Sequence, residues 1–489
     1  MKTKKVLANS IIYVILGFLA PAVNFFLIPI YTRELSTADF GIITLANIIV
    51  SVLVNLMGLG LVGAFARFYY EELSDRGNQL KLFSTTLFGM LIAGLVIGLV
   101  FYITGQQLLS SLFTNRSFTI ESYGIFVIFT ALGMNIQTLV QALYRNDENV
   151  KLYTIWSIVF FLTVVIGVYS GVVILQKGAL GSVGGRMWGT IIPVLVFLVA
   201  FFTKYPPAFN RKMAVSMLNY GWPLVIYLML SLAFNSVDKV MVERYFKDLS
   251  VLGVYGFAFL IASVMEIFLN AINSAVNPQV YRLLKENTPD ASKQVNQLLK
   301  MVVLTMLLLL LGLIVVAAPA ITWFIKLDYQ EAVLYLPLLF IAYIPRIYFT
   351  IYSIPLFYFN KTRVLPWISA VSFIAGLLLS ILFIPVWGIY GICVAVLLTR
   401  AVQCVLAYYT TRYFKLPSAK AFSMKSTYVF SIIITAGTFL LTYIQLKAPA
   451  SWRLWLFIPL ALIYSCFFGI KYKKILTQQL RLLTLKYQK

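Results

Sequence analysis

The stretch MVVLTMLLLLLGLIVVAA, residues 301–318, carries no charge, and apart from Thr305 and Gly312 every side chain in it is apolar. A helix of that length rises about 27 Å, close to the roughly 30 Å of a bilayer's hydrocarbon core. A barrel strand alternates lipid-facing and lumen-facing residues, whereas this run is apolar on every side, so a β-barrel is excluded. The stretch reads as a transmembrane helix, and the chain repeats it. Working outward, apolar spans are predicted over 10–31, 40–66, 81–104, 119–142, 152–175, 178–203, 214–238, 251–276, 298–325, 331–359, 364–384, 388–411, 425–446 and 452–470. The expected fold is all-α and polytopic, with about fourteen transmembrane helices, numbered here as spans 1 to 14.

Composition agrees. With 61% hydrophobic and 11% charged residues and a mean hydropathy of +0.90, the chain cannot present a soluble surface of ordinary polarity. Met1–Ser10 is basic like the start of a signal peptide, but the apolar run behind it is longer than a signal sequence and lacks a small-residue cleavage site. It is expected to be a retained first helix.

A net charge of +23 raises the question of nucleic acid, which the distribution of the charges answers. With the N-terminus in the cytoplasm, about two thirds of the 39 Lys and Arg fall in the even-numbered connections and the tails, and about a quarter in the odd-numbered ones. This positive-inside asymmetry sets both termini inside and reads basic clusters such as Lys471, Lys473 and Lys474 as topology signals. Nucleic acid is not an expected partner; membrane lipids are. Trp156, Trp222, Trp367, Trp387 and Trp452 fall near span ends, where an interfacial aromatic belt belongs. Cys393, Cys404 and Cys466 lie inside spans without CxxC spacing, and there is no His, so neither a disulfide nor a zinc site is expected.

The longest connection, Asn277–Asn296, leaves no room for a nucleotide-binding domain, and no GxxxxGK[ST] occurs. Gly58, Gly60 and Gly63 spell GxGxxG, but inside a span and without a preceding strand, so they read as a close helix contact.

Two weak echoes divide the chain. Leu35, Ser36 and Gly41 lead into span 2 as Leu249, Ser250 and Gly253 lead into span 8; Gly178-Ala179-Leu180-Gly181 opens span 6 as Gly388-Ile389-Tyr390-Gly391 opens span 12. Six spans is an even number, so the copies share one orientation and an axis along the membrane normal. The expected division is a first lobe over 1–210, a second over 211–415, and spans 13 and 14 with a basic tail over 416–489.

At this point the chain resembles a known family. The segment Asn24–Gly41, with Pro29, Tyr31, Leu35, Ser36, Phe40 and Gly41, is similar to the first hairpin of the polysaccharide transporters that include O-antigen flippases. Asn235, Asp238, Lys239, Gly253, Val254 and Tyr255, and then Gly388–Gly391, are similar to later segments of the same family. The resemblance implies a non-enzymatic flippase in a bacterial inner membrane. Two pseudo-symmetric six-helix lobes would alternate in access and carry an undecaprenyl-pyrophosphate-linked oligosaccharide outward, with a polysaccharide polymerase and glycosyltransferases as working partners. The same superfamily holds multidrug antiporters and lipid II flippases, which stay open as alternatives. A membrane enzyme acting on these lipids would carry a sizeable outer loop or an acidic metal motif, and neither is present.

Charged residues within spans are costly and therefore few. Counting from the outer end, Arg186 lies roughly 12 Å deep, Arg400 roughly 18 Å, and Glu266 and Arg346 roughly 22 Å. Arg186, Arg346 and Arg400 are candidates for a cationic cleft that grips a pyrophosphate through forked hydrogen bonds; the alternative is that Glu266 pairs with Arg346 or Arg400 as glue between helices. Arg67, at the inner end of span 2, is placed at the inner mouth, and Asn24 among polar groups suited to sugar hydroxyls, with Asn47, Asn55, Asn235, Asn270 and Asn273. Arg33, Asp39, Asp238 and Lys239 are expected on a solvated outer rim. Asp238 or Glu266 is the alternative candidate for coupling to H+ or Na+; no cofactor is implied. Pro21 and Pro29 in span 1, and Pro337, Pro345 and Pro355 in span 10, mark helices expected to kink.

Overall fold

The computed structural model describes residues 16–17, 19–71, 75–286, 288–414 and 424–447. Span 14, the cluster at Lys471, Lys473 and Lys474, Trp452, Cys466 and the segment Met1–Ser10 lie outside the described residues. Among the described residues the regular elements are helices, and ten are long and apolar enough to cross a membrane.

Span 1 is broken as its prolines imply, into α1 (Leu19–Phe26) and α2 (Ile28–Glu34), with Pro29 in the first turn of the second piece, where its missing N–H costs nothing. Span 2 comprises α3 (Thr37–Gly58) and α4 (Leu61–Glu71). Ser36 and Asp39 form a reciprocal capping box at the start of α3. Then follow α5 (Arg76–Leu112), α6 (Ile125–Asn146), α7 (Val150–Tyr169), α8 (Gly178–Lys204) and α9 (Arg211–Phe246). Span 8 divides into α10 (Leu249–Ala262) and α11 (Val264–Glu286), span 9 is α12 (Pro289–Phe324), and span 10 divides into α13 (Ala332–Ile341) and α14 (Tyr343–Tyr358). Spans 11 and 12 run as one element, α15 (Leu365–Tyr413), and span 13 is α16 (Lys425–Lys447).

The α15 element contains a reversal. Gly388 has φ 58° and ψ −131°, and a Cβ on Gly391 would stand 2.2 Å from the Phe383 carbonyl oxygen; that approach is possible only if the two arms fold back on each other. The opening of α8 repeats the device, with Gly178 at φ +54° and Gly181 2.1 Å, by the same measure, from the Gly171 carbonyl. The paired GxxG echoes are thus one hairpin built twice, each with a glycine in the left-handed region.

The other echo brings its two copies together. Along α3 and α10, Gly41 abuts the Leu249 carbonyl, Gly253 the Thr37 carbonyl and Gly256 the Thr44 hydroxyl, with would-be Cβ distances of 2.2, 1.8 and 2.5 Å. Small residues let these backbones touch, as membrane helix pairs require. Phe40, Phe257 and Tyr329 close over this seam with ring centroids 5.1–6.1 Å apart, and the Tyr329 hydroxyl donates to the Ser36 carbonyl at 2.8 Å. By the charge asymmetry this is the outer end.

At the opposite end the GxGxxG motif makes a close contact, as expected, and also a break that periodicity does not signal. Leu59 and Gly60 take positive φ of 47° and 67°, ending α3, and Gly60 lies against the backbone of Gly221 in α9.

The orientation has a direct test. In a Cys-free background, cysteine at the exposed position Arg116, between α5 and α6, should react with an impermeant thiol reagent in intact cells, and cysteine at the exposed Lys212, at the start of α9, should not. The reverse pattern would invert the topology.

Candidate functional site

Between the two contacts lies a cavity of about 270 Å³ formed by α1, α2, α3, α9 and α10. Its polar wall includes Asn24, Asn47, Ser51, Asn235, Ser236 and Lys239, and among the described residues Lys239 is the one charged residue lining it. Asparagine and serine present donors and acceptors without fixed charge, which suits a hydroxyl-rich ligand beside a single cation.

The expectation of a solvated rim at Asp238 and Lys239 is overturned. Asp238 is 3% exposed, and Lys239 points inward. The Lys239 Nζ lies 3.2 Å from both Asp238 carboxylate oxygens and 3.3 Å from the Asn235 carbonyl, above the Phe259 ring. Tyr255 donates to Asp238 Oδ2 at 2.7 Å. The reason is length: α9 continues beyond the predicted end of span 7 to Phe246, so residue 238 lies about 12 Å inside the helix end rather than at it. Asp39 is likewise more than a rim residue, since its Oδ1 accepts from the Ala179 N–H at 3.1 Å and ties the start of α8 to the start of α3.

The three candidate arginines do not converge on one cleft. Arg186 stands between the central cavity and a second cavity of about 90 Å³ that reaches Gln137, Gln141 and Ser157. Its guanidinium donates to Asn47 Oδ1 at 2.5 Å and to Asn24 Oδ1, so it joins span 1 to span 2 and orients two of the cavity's amides. Arg346 is held by Glu266 in a forked pair, Nη2 to Oε1 at 2.7 Å and Nε to Oε2 at 3.3 Å; here the helix-glue reading is the one the geometry matches. Arg400 is 6% exposed, lies 4.1 Å from the Tyr343 ring centroid and has no hydrogen-bond partner on Nη1. Arg67 is half-exposed, pairs with Glu71 at 3.4 Å and stacks 4.7 Å from the Tyr220 ring across the α4–α9 contact, away from the central cavity.

Sequence reading missed Glu243. Fully buried near the end of α9, its carboxylate accepts from the backbone N–H groups of Thr114 at 2.9 Å and Asn115 at 2.6 Å, pinning the connection between α5 and α6. A carboxylate counted as part of an exposed connection gives no signal of this; only the extra turns of α9 bury it. Among the described residues, no group of three or more His, Cys, Asp or Glu is arranged to hold a metal ion.

Comparisons agree with this arrangement of helices. The chain is 23% identical over 413 residues to "Lsg locus putative protein 1" of Haemophilus influenzae, covering 79% of this chain and 95% of that protein. Its fold matches the lipid II flippase MurJ in an inward closed conformation, with a TM-score of 0.70, 15% identity, and coverage of 95% of this chain and 100% of that one. It also matches an inward-facing multidrug resistance transporter of the MATE family, with a TM-score of 0.70 at 11% identity, covering 84% and 99% of the two chains. These likenesses establish the fold, that of a polytopic helical membrane protein. Residues 6–284, more than half of the chain, match the family described as polysaccharide biosynthesis protein, and the chain belongs to that family.

Proposed function

We propose that this protein is a flippase for an undecaprenyl-pyrophosphate-linked oligosaccharide, moving the sugar from the cytoplasmic to the outer leaflet of a bacterial inner membrane by alternating access. The observation that carries this reading is the wall of the central cavity, which combines neutral hydrogen-bonding side chains with one lysine and, among the described residues, has no carboxylate in its lining. Such a wall favours an anionic, hydroxylated headgroup, whereas a cationic drug calls for exposed carboxylates. In this reading residues 1–210 and 211–415 are two lobes that part and rejoin along the Gly41–Gly253 seam, and 416–489 is an appended helix pair with a basic tail. Asp238 and Glu266 are the carboxylates available for coupling to H+ or Na+. A polysaccharide polymerase and glycosyltransferases are the expected neighbours in the pathway.

The test is reconstitution into vesicles with an undecaprenyl-pyrophosphate-linked oligosaccharide, following its exposure to a glycosidase added outside. Protein-dependent exposure is expected. Failure to move the sugar lipid together with uptake of tetraphenylphosphonium would replace this reading with that of a drug transporter.

A further inference from the structure

Asp238 sits between two cations that face different cavities. On one side is Lys239, in the wall of the central cavity. On the other is a cavity of about 20 Å³ lined by Asp238, Gly376, Ser380, Thr399 and Arg400, with room for about one water. Among the described residues Arg400 forms no ion pair within 4.0 Å and its Nη1 is unpartnered, yet it is almost wholly buried. A desolvated guanidinium with an empty donor is costly and will take an acceptor that comes within reach. Among the described residues, Glu266 is engaged by both prongs of Arg346 and Glu243 by the Thr114 and Asn115 backbone N–H groups. Asp238, lining the same small cavity as Arg400, is the acceptor at hand.

We propose that Lys239 is the residue that grips the anionic headgroup in the central cavity, and that Asp238 is its exchangeable counter-ion, passing to Arg400 when the headgroup takes Lys239. This rests on the reading above that the headgroup is anionic. In the unliganded cavity Asp238 neutralises Lys239 and Tyr255 steadies the carboxylate. A phosphate arriving beside Lys239 competes for the same ammonium, and the released carboxylate needs a new partner because it cannot stay buried and unpaired. Arg400, on the second arm of α15, supplies one. Occupancy of the cavity is thereby converted into a new bond between α9 and α15, and a lysine already held by a carboxylate stays silent toward weak anions.

The purified full chain in detergent, titrated with inorganic pyrophosphate, tests both parts. Lys239→Gln should weaken binding about tenfold or more, since one charge-assisted contact is lost. Asp238→Asn should tighten it by about three- to tenfold, because the competing carboxylate is gone. The double variant Asp238→Asn/Lys239→Gln removes both members of the pair and creates no new unpaired charge, so it should fold, and it should bind no better than Lys239→Gln alone. Arg400→Gln should weaken binding about fivefold in the wild-type background but less than about twofold in Asp238→Asn, which is the coupling signature of an exchange. Undiminished binding by the double variant overturns the role of Lys239. An Arg400→Gln effect that is equal in both backgrounds overturns the exchange. A wild-type protein that is blind to pyrophosphate defeats the anionic-headgroup reading itself.

Discussion

Arg346→Ala is expected to destabilise the protein by about 3 kcal/mol, because it strands the Glu266 carboxylate among helices with no second cation bonded to it. The forked pair ties α11 to α14, and its side chains are only 33% and 27% exposed for Glu266 and Arg346. Thermal unfolding of the detergent-solubilised protein should show the loss. The double variant Arg346→Met/Glu266→Gln should recover most of it, since replacing both charges with uncharged groups of similar size removes the desolvation cost along with the attraction. Lys at position 346 should recover only part, as an ammonium cannot reproduce the two-pronged contact. Arg400→Ala makes the contrast: that guanidinium holds no carboxylate in this conformation, so stability should stay near wild type. Equal losses at 346 and 400, or a double variant no better than the single, would show that the pair does not act as structural glue.

The helices were legible because the bilayer leaves them no freedom. A run such as 301–318 has one stable form in hydrocarbon, and the observed α12 extends beyond it on both sides. The interruptions were legible only where proline marks them, in spans 1 and 10. The breaks at Leu59–Gly60 and at Ser263 carry no such mark; the first depends on Gly60 meeting Gly221, a contact between distant parts of the chain. The site was legible in kind but not in place. Depth along a span placed Glu266 level with Arg346, and the two do bond, but depth says nothing of which face of a helix a residue occupies. Arg186 therefore holds two asparagines and Arg346 a glutamate, while the cavity's cation is Lys239, which the sequence alone places on a rim. The misplacement came from taking the end of apolar sequence as the end of the helix: α9 runs through Val237-Asp238-Lys239 and on to Phe246, carrying its polar turns inside the protein, where they meet other helices rather than water.

The seam between α3 and α10 is where one added side chain should do most to transport. At Gly253 a Cβ would lie 1.8 Å from the Thr37 carbonyl oxygen, and that oxygen belongs to a capped helix start that cannot easily yield. Gly253→Val should therefore prevent closure of the outer end while leaving each helix intact. If closure is disfavoured by about 3 kcal/mol, the closed population falls about a hundredfold, and export by a cycle that requires closure falls with it. Two neighbours calibrate the effect. At Gly256 the clash is with the Thr44 side chain, which can rotate, so Gly256→Ala should be milder; at Gly312 nothing lies within 4 Å, so Gly312→Ala should leave export unchanged. Cysteine at Ser236, on the cavity wall, reports the conformation: labelling from outside should rise in Gly253→Val relative to the parent. Normal export by a well-expressed Gly253→Val protein would mean the seam need not close during transport, and the alternating motion would then have to be sought at the Gly60–Gly221 contact instead.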